Sequence, residues 1–282
     1  MRVFNTFMVF SCVLFLFACT KGQFPKTTPI NISNIVIEND VDVRASTLMI
    51  VRLSDGQKWV SNQSRNNVRF PPASTSKIPH TLIALETQYA MPDSVYIWDG
   101  QKRSLPTWNQ NQTLASAYQR SAVWVFQNIT LGLGHATMSE WIQKFEYGNM
   151  NIGALEDLTT YWLNGPLETS ANDQIQFLTK LAQGELPLLE KTYQNARKIM
   201  AVKRGKNWTL YAKTGWRNDG VNTDIGWYVG WLESSINGRD EVYVFALNMD
   251  MPDPKQMQKH KNVIYFALEF MAAMPSDTFK DL

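Results

Sequence analysis

Residues 209–248 read TLYAKTGWRNDGVNTDIGWYVGWLESSINGRDEVYVFALN and carry a repeated strand pattern. Three segments rich in β-branched and aromatic residues, 209–214, 225–233 and 241–248, predict three strands. Asn237-Gly238 lies between the second and third segments, and this dipeptide favours the tight turn of a β-hairpin. The stretch therefore predicts neighbouring antiparallel strands near one end of the chain.

A second strand pair is predicted near the other end, where residues 47–51 and 57–60 flank the turn Ser54-Asp55-Gly56. The middle of the chain, about residues 75–200, is instead rich in helical patterns and loops. One helix start is clear, because Ser170-Ala171-Asn172-Asp173 is a capping box in front of an apolar stripe. The chain therefore places strands at both ends and helices between them.

These patterns predict an α/β fold of the α+β type. Residues 255–273 indicate a closing helix, with one apolar side formed by Val263, Phe266, Ala267, Phe270 and Met271. Strands from both chain ends most simply form one central antiparallel sheet with flanking helices, and a mainly helical subdomain is inserted at about 75–200. We expect a functional site at the boundary between the sheet and the inserted part.

The composition excludes several classes of protein. The chain has 282 residues, 44% of them hydrophobic, and its formal net charge is +2. This balance argues against a disordered chain and gives no basic excess for binding nucleic acid. Three scattered His and two Cys have no spacing typical of a zinc cluster, so we expect no metal site.

The first 18 residues predict an export signal, because Arg2 precedes an apolar run that is too short to span a membrane. Leu16-Phe17-Ala18-Cys19 resembles a bacterial lipoprotein signal, in which Cys19 would be lipidated; ordinary cleavage near Ala18 is the alternative. We expect a periplasmic protein whose one link to a membrane is a lipid on Cys19. Residues 19–32 then predict a tether and residues 33–282 a single catalytic domain.

The first chemistry-bearing motif is Ser74-Thr75-Ser76-Lys77, which precedes an apolar helical pattern. If Ser74 opens that helix, Lys77 lies on the same face. A serine hydroxyl needs a nearby base to act as a nucleophile, and a buried lysine with a lowered pKa supplies one. Pro79 predicts a kink or a tight first turn in this helix. Alone, this four-residue motif is a weak signal, and a plain helix start explains it better.

The second motif is Lys213-Thr214-Gly215, at the end of a predicted strand. Gly215 would let a substrate pair closely along the strand edge, and Lys213 and Thr214 would point a charge and a hydroxyl at a carboxylate. Alone, this motif also fits a strand end with a surface lysine. A Ser-x-x-Lys motif followed later in the chain by Lys-Thr-Gly is, however, the motif order of penicillin-recognising serine acyltransferases.

Other segments of the chain extend this resemblance. Ser121-Ala122-Val123 lies between the two motifs, and the other matching segments are Tyr147-Gly148-Asn149, Trp162-Leu163, Gly165-Pro166-Leu167 and 226–231. As a set, over roughly residues 40–272, the sequence resembles the class D (OXA-type) β-lactamases. The resemblance implies the fold of the penicillin-recognising serine transferases and the hydrolysis of β-lactam antibiotics, with resistance as its consequence.

The resemblance also implies roles for individual residues. Ser74 would form the acyl-enzyme, and Lys77, carboxylated by CO2 or bicarbonate, would be the general base. Val123 and Trp162 would line the pocket of that carbamate, and Ser121 would relay a proton to the departing nitrogen. The substrate would be held by Lys213, Thr214, Gly215 and Trp216, with the backbone N–H groups of Ser74 and Trp216 as the oxyanion hole.

Two departures from the family pattern bear on the site. Ser76 stands where the family usually has Phe, so its hydroxyl makes the Lys77 pocket less apolar. The family commonly has an Arg for the substrate carboxylate near the start of the last helix, where this chain has Lys259, His260 and Lys261. Any of the three could replace its charge, but none provides the bidentate guanidinium.

Two other functions share most of these motifs. A penicillin-binding DD-peptidase normally has Asn two residues after the middle Ser, where this chain has Val123. A non-hydrolysing β-lactam sensor would need several membrane helices, and the sequence predicts none beyond the export signal. We expect the preference among β-lactams to depend on the loops around Trp108, Trp216 and residues 217–223.

Overall fold

The computed structural model describes residues 27–236, 238–253 and 256–275. The strands are β1 (Ile30–Asn31), β2 (Ser46–Arg52), β3 (Lys58–Val60), β4 (Val95–Tyr96), β5 (Gln112–Thr113), β6 (Ala201–Arg204), β7 (Trp208–Arg217), β8 (Asp224–Ile236) and β9 (Arg239–Met251). The helices are α1 (Ser33–Glu38), α2 (Lys77–Glu86), α3 (Leu114–Gln119), α4 (Val123–Lys144), α5 (Ala171–Gln183), α6 (Glu190–Met200) and α7 (Met257–Phe270).

One sheet organises the described part of the chain. Its seven strands have the order β1-β3-β2-β9-β8-β7-β6, so both ends of the chain contribute to it. All pairs in this sheet are antiparallel except β1 with β3. The predicted antiparallel sheet with flanking helices and an inserted helical part is therefore confirmed. Asn237, half of the predicted hairpin turn, lies outside the described residues.

The two faces of the sheet bury two separate cores because side chains alternate along β8. Trp227, Val229 and Trp231 face the inserted helices, which include α2 and α4. Tyr228 and Leu232 face the opposite side, where α1 and α7 cover the sheet. No helix in the described ranges is both long and apolar enough to cross a membrane.

The structure corrects the predicted apolar side of the closing helix. In α7 the buried side carries Val263, Ile264, Ala267 and Leu268, whereas Phe266 is 42% and Phe270 63% exposed. Strong apolar character on two sides of α7 made its orientation ambiguous in the sequence. The shape of the sheet decides which side is buried.

The predicted tether also ends earlier than residue 32. Ile30 and Asn31 pair with Trp59 and Val60, and Ile32 is buried under the sheet. An extended polar segment and a short edge strand have similar compositions, which explains the difference. Residues 19–26 of that segment, with Cys19 and the predicted export signal, lie outside the described residues.

Candidate functional site

The site is built around a tight turn that carries Ser74. Residues Ala73–Ser76 form a 3-10 turn that leads directly into α2 at Lys77. Pro79 is the third residue of α2, where a backbone N–H has no acceptor within the helix, so proline is tolerated there. The prediction of a tight first turn is therefore correct, and Ser74 lies just before α2 rather than inside it.

The backbone before Ser74 is held in an unusual conformation. Ala73 has φ of 48°, in the left-handed region that costs a non-glycine residue about 1–2 kcal/mol. Its N–H donates to the Trp162 carbonyl at 2.8 Å, which ties the turn to the segment of residues 161–167. Ser76 donates its hydroxyl to the Ala73 carbonyl at 2.7 Å, so this polar group is satisfied within the turn.

Lys77 is fully buried beside Ser74. Its Nζ donates to Ser74 Oγ at 2.9 Å and lies 5.2 Å from the centre of the Phe126 ring. Burial, reinforced by the charge of Lys213, holds the pKa of Lys77 well below that of an ordinary lysine. Burial therefore favours the neutral amine of Lys77, which lies within hydrogen-bond reach of Ser74 Oγ.

The aromatic cluster beside Lys77 contains a hydrogen-bond donor without a partner. Trp162 is fully buried, and its Nε1 finds no acceptor among the described residues. An unpaired buried donor costs about 1–3 kcal/mol, so this one fits a pocket that receives an additional acceptor. A carbamate on Lys77 would be such an acceptor. Val123 begins α4, three residues before Phe126.

His80 completes the aromatic surroundings of Trp162. The two rings meet edge to face with their centres 4.8 Å apart, and His80 Nε2 is 2.6 Å from the Tyr161 hydroxyl. Burial, with the nearby Lys77, lowers the pKa of His80 to about 3, so its ring is neutral. His80 is fully buried and is therefore part of the core.

Ser121 and Lys213 form the opposite side of the site. Ser121 has φ of 58° and lies between α3 and α4. Lys213 on β7 donates from Nζ to Ser121 Oγ at 3.1 Å and to the Thr214 carbonyl at 3.2 Å. Burial, together with the charge of Lys261, lowers the pKa of Lys213 to about 7. The Ser121-Ala122-Val123 segment and the Lys213-Thr214-Gly215 motif are thus in direct contact.

Strand β7 passes close to the turn of Ser74 with one edge free. Its pairing with β6 stops at Tyr211, so beyond this residue the outer edge pairs with no other described strand. Gly215 is required there, because an added Cβ would lie 2.9 Å from the Pro72 carbonyl oxygen and 3.0 Å from Thr75 Cγ2. The next residue, Trp216, is 38% exposed and donates its indole N–H to Asp224 at 2.6 Å.

The three residues near the start of α7 differ in their surroundings. Lys259 donates to the backbone carbonyl of Asp40 at 2.9 Å, away from the site. His260 is fully buried, and burial with the neighbouring charge of Lys261 lowers its pKa to about 4. Lys261 is half-buried, and its charge is the one that acts on Lys213. Of these three residues, Lys261 is therefore the one whose positive charge acts on Lys213.

Other candidate residues have structural surroundings. Asn149 joins its own loop to residues 166–168 through its side chain and backbone. Glu156 is exposed. Sequence reasoning missed Phe126, although its spacing of three residues from Val123 places both on one face of α4. It also missed Gln174, which no motif marked. Among the described residues, no three His, Cys, Asp or Glu are grouped as a metal site.

This geometry agrees with a family model that spans most of the chain. Residues 46–269 match the model described as the penicillin binding protein transpeptidase domain. A serine beside a buried lysine, facing a Lys-Thr-Gly strand with a free edge, defines the class of penicillin-recognising serine enzymes.

Similar proteins narrow this class. The chain is 35% identical to Beta-lactamase OXA-20 of Pseudomonas aeruginosa, over 84% of this chain and 86% of that protein. It is 38% identical to Beta-lactamase OXA-48 of Klebsiella pneumoniae, over 70% and 72% respectively. The structure is also similar to the class D β-lactamase YbXI from Nostoc, with a TM-score of 0.81 and 33% identity over 86% of this chain and 99% of that one. For FUS-1 (OXA-85) of Fusobacterium nucleatum the TM-score is 0.80, with 31% identity over 86% and 97%. The chain belongs to the class D β-lactamases, a family of serine hydrolases, as the motif set predicted.

Proposed function

We propose that the protein hydrolyses β-lactam antibiotics through a covalent acyl-enzyme on Ser74. One observation carries this proposal: Nζ of buried Lys77 lies 2.9 Å from Ser74 Oγ, beside an aromatic cluster that contains the unpaired N–H of Trp162. The pocket fits a carboxylated Lys77, because CO2 reacts only with a neutral amine. When CO2 is bound to Lys77, the resulting carbamate supplies the general base for acylation and deacylation.

The chain's own groups then have separate tasks. Ser74 Oγ attacks the β-lactam carbonyl carbon, and the C–N bond of the ring breaks. Ser121, in contact with Lys213, relays a proton to the departing nitrogen. The backbone N–H groups of Ser74 and Trp216 stabilise the oxyanion, an interaction whose loss typically costs about 10²–10³ in rate. Water then releases the product from Ser74.

We propose that the substrate carboxylate is bound at the free edge of β7 by Lys213 and Thr214. Gly215 allows the substrate backbone to approach this edge. Lys261 supplies the second positive charge, because Lys259 is engaged with Asp40 and His260 is buried and neutral. A single ammonium group is less directional than the bidentate guanidinium of an arginine.

The decisive experiment is the hydrolysis of nitrocefin by the purified protein with and without added bicarbonate. We expect multiple turnovers that bicarbonate stimulates, and no turnover by Ser74→Ala. A single stoichiometric burst would overturn the proposal in favour of a non-hydrolysing β-lactam-binding protein. Cleavage of a D-Ala-D-Ala peptide without β-lactam turnover would instead identify a DD-peptidase, which Val123 argues against.

We also propose that the protein is exported to the periplasm, lipidated on Cys19, and confers β-lactam resistance. The apolar run before Cys19 supports this proposal. The test expresses the full chain and its Cys19→Ser variant in a susceptible Gram-negative host. We expect both to raise the minimal inhibitory concentration of penicillins, and only the parent chain to incorporate labelled palmitate. Equal labelling of the two chains would refute lipidation on Cys19.

A further inference from the structure

A buried amide holds the turn of Ser74 from behind. Thr75, next to Ser74, accepts a hydrogen bond from Gln174 Nε2 at 3.1 Å. The same Nε2 donates to the Tyr147 hydroxyl at 3.0 Å. The side chains of Thr75, Tyr147 and Gln174 are all fully buried. No assigned motif includes Gln174, which lies one turn into α5.

The hydrogen-bond pattern allows one orientation of this amide. Thr75 donates its only hydroxyl proton to the Pro72 carbonyl at 2.7 Å, so Thr75 Oγ1 can only accept from Gln174. The amide nitrogen must therefore face Thr75, and its two N–H groups serve Thr75 and Tyr147. Gln174 Oε1 has no hydrogen-bond partner among the described residues. An unpaired buried acceptor of this kind lowers the stability of the fold by about 1–3 kcal/mol.

The same contacts continue from Thr75 to strand β7. Pro72 O, the acceptor of the Thr75 hydroxyl, lies against Gly215, where an added Cβ would be 2.9 Å away. The same added Cβ would lie 3.0 Å from Thr75 Cγ2. Trp227 on β8 donates to the neighbouring Pro71 carbonyl at 3.1 Å. A shift of Thr75 would therefore change the distance between Ser74 and the edge of β7.

We propose that Gln174 is a positioning residue for the acylation step. It fixes Thr75, and through Thr75 it sets Ser74 against the backbone N–H of Trp216. This inference rests on the proposed acylation of Ser74. Tyr147 supports the arrangement as a neutral partner, because burial raises the pKa of its hydroxyl to about 12.

Two substitutions break the same hydrogen bond from opposite sides. Gln174→Met keeps the length of the side chain, and Thr75→Val keeps its shape, but neither can form the bond. Misplacing a reacting group by about 1 Å costs up to about 10²-fold in rate. We expect each variant to lower the acylation rate constant about 10-fold to 100-fold, and the double variant to lose little more.

Bicarbonate dependence provides the readout that separates positioning from a general loss of structure. Deacylation forms an oxyanion at the same N–H groups, so its rate should fall together with the acylation rate. The bicarbonate concentration for half-maximal activity depends on the surroundings of Lys77 and should change less than about twofold. Thr75→Ser keeps the hydroxyl and should restore most of the acylation rate. The matched control is Thr130→Val, because Thr130 is also fully buried and donates to a carbonyl three residues back.

The experiment measures acylation of Ser74 by rapid quench with a penicillin and mass spectrometry, with thermal unfolding in parallel. Wild-type acylation by Gln174→Met, or an equal loss in Thr130→Val, would overturn the proposal. If Gln174→Met does not fold, Thr75→Val decides the question. If the parent protein is acylated but does not turn over, the hydrolysis proposal fails, while the acylation rates still test Gln174.

Discussion

Two buried lysines share this site, and burial lowers the pKa of both. Both are desolvated, yet Lys77 is enclosed by Ser74, Phe126 and the charge of Lys213, which together disfavour its protonated form. Lys213 lies at the edge of the site with a pKa of about 7. In the proposed mechanism, Lys77 reacts with CO2 and Lys213 binds the substrate carboxylate.

The pKa of Lys213 predicts a pH profile. Above pH 7 Lys213 loses its proton and its charge, so kcat/KM should fall as the pH rises through about 7. A bound carboxylate favours the charged lysine, so the corresponding fall in kcat should lie at higher pH. In Lys213→Arg the arginine stays protonated, so kcat/KM should no longer fall as the pH rises through about 7. The same fall in that variant would assign the titration to another group.

Lys77→Ala tests the general base. Acylation should slow and deacylation should nearly stop, because no group remains beside Ser74 to activate water. Mass spectrometry should then detect a trapped adduct on Ser74 after exposure to a penicillin. Lys144→Ala, a surface control at the end of α4, should turn over normally. Parent-like turnover by Lys77→Ala would refute the assignment.

Trp162→Phe tests the unpaired indole N–H. Phenylalanine keeps an aromatic ring in the pocket but removes the donor that a carbamate would use. We expect the bicarbonate concentration for half-maximal activity to rise about tenfold, which corresponds to about 1.4 kcal/mol. At saturating bicarbonate most activity should return. Bicarbonate dependence equal to that of the parent would mean that the N–H does not contact the modified lysine.

Single helices were largely predictable where local signals were strong. Ser170 caps α5 as predicted, and its side chain accepts from the Asp173 N–H while Asp173 accepts in return. The short turn of residues 73–76 was predicted only in outline, because Pro79 indicated a tight turn but no sequence signal specified its 3-10 geometry. Gln174 could not be predicted for another reason. Its role depends on contacts with Thr75 and Tyr147, which are far away in the sequence.

The two capping boxes give a stability prediction for single elements. Thr113 caps α3 with Ser116 in the same way as Ser170 caps α5. Ser170→Ala and Thr113→Ala should each lower the free energy of unfolding by about 1 kcal/mol. Urea unfolding measures this loss. Ser64→Ala is the control, because Ser64 is exposed and caps no α-helix, and it should leave the free energy of unfolding almost unchanged.

For the whole molecule, the sheet built from both chain ends could be predicted, but the packing on its second face could not. Helix α1 was not predicted, although Ile35 and Val36 are fully buried in the core beneath α7. Six residues are too few to produce a helical period in the sequence. This contact ties the beginning of the described chain to its last helix.

Neighbouring isoleucines in α1 allow a matched test of that contact. Ile35 is fully buried, whereas Ile37 is 56% exposed. Ile35→Ala should lower the free energy of unfolding by about 2–5 kcal/mol, and Ile37→Ala by less than about 0.5 kcal/mol. Thermal unfolding of the two variants measures the difference. Equal effects would show that α1 does not stabilise the fold through its buried side.

The pairing of β2 with β9 also determines when the molecule can fold. Ser46 pairs with Met249, so roughly 200 residues are synthesised after the first partner before the second one exists. Until β9 is available, β2 has no neighbour on that side, and the centre of the sheet cannot form. Contacts of such high sequence separation slow folding. A chain threaded across a membrane from its N-terminus would therefore remain unable to complete its fold until nearly all of it had crossed.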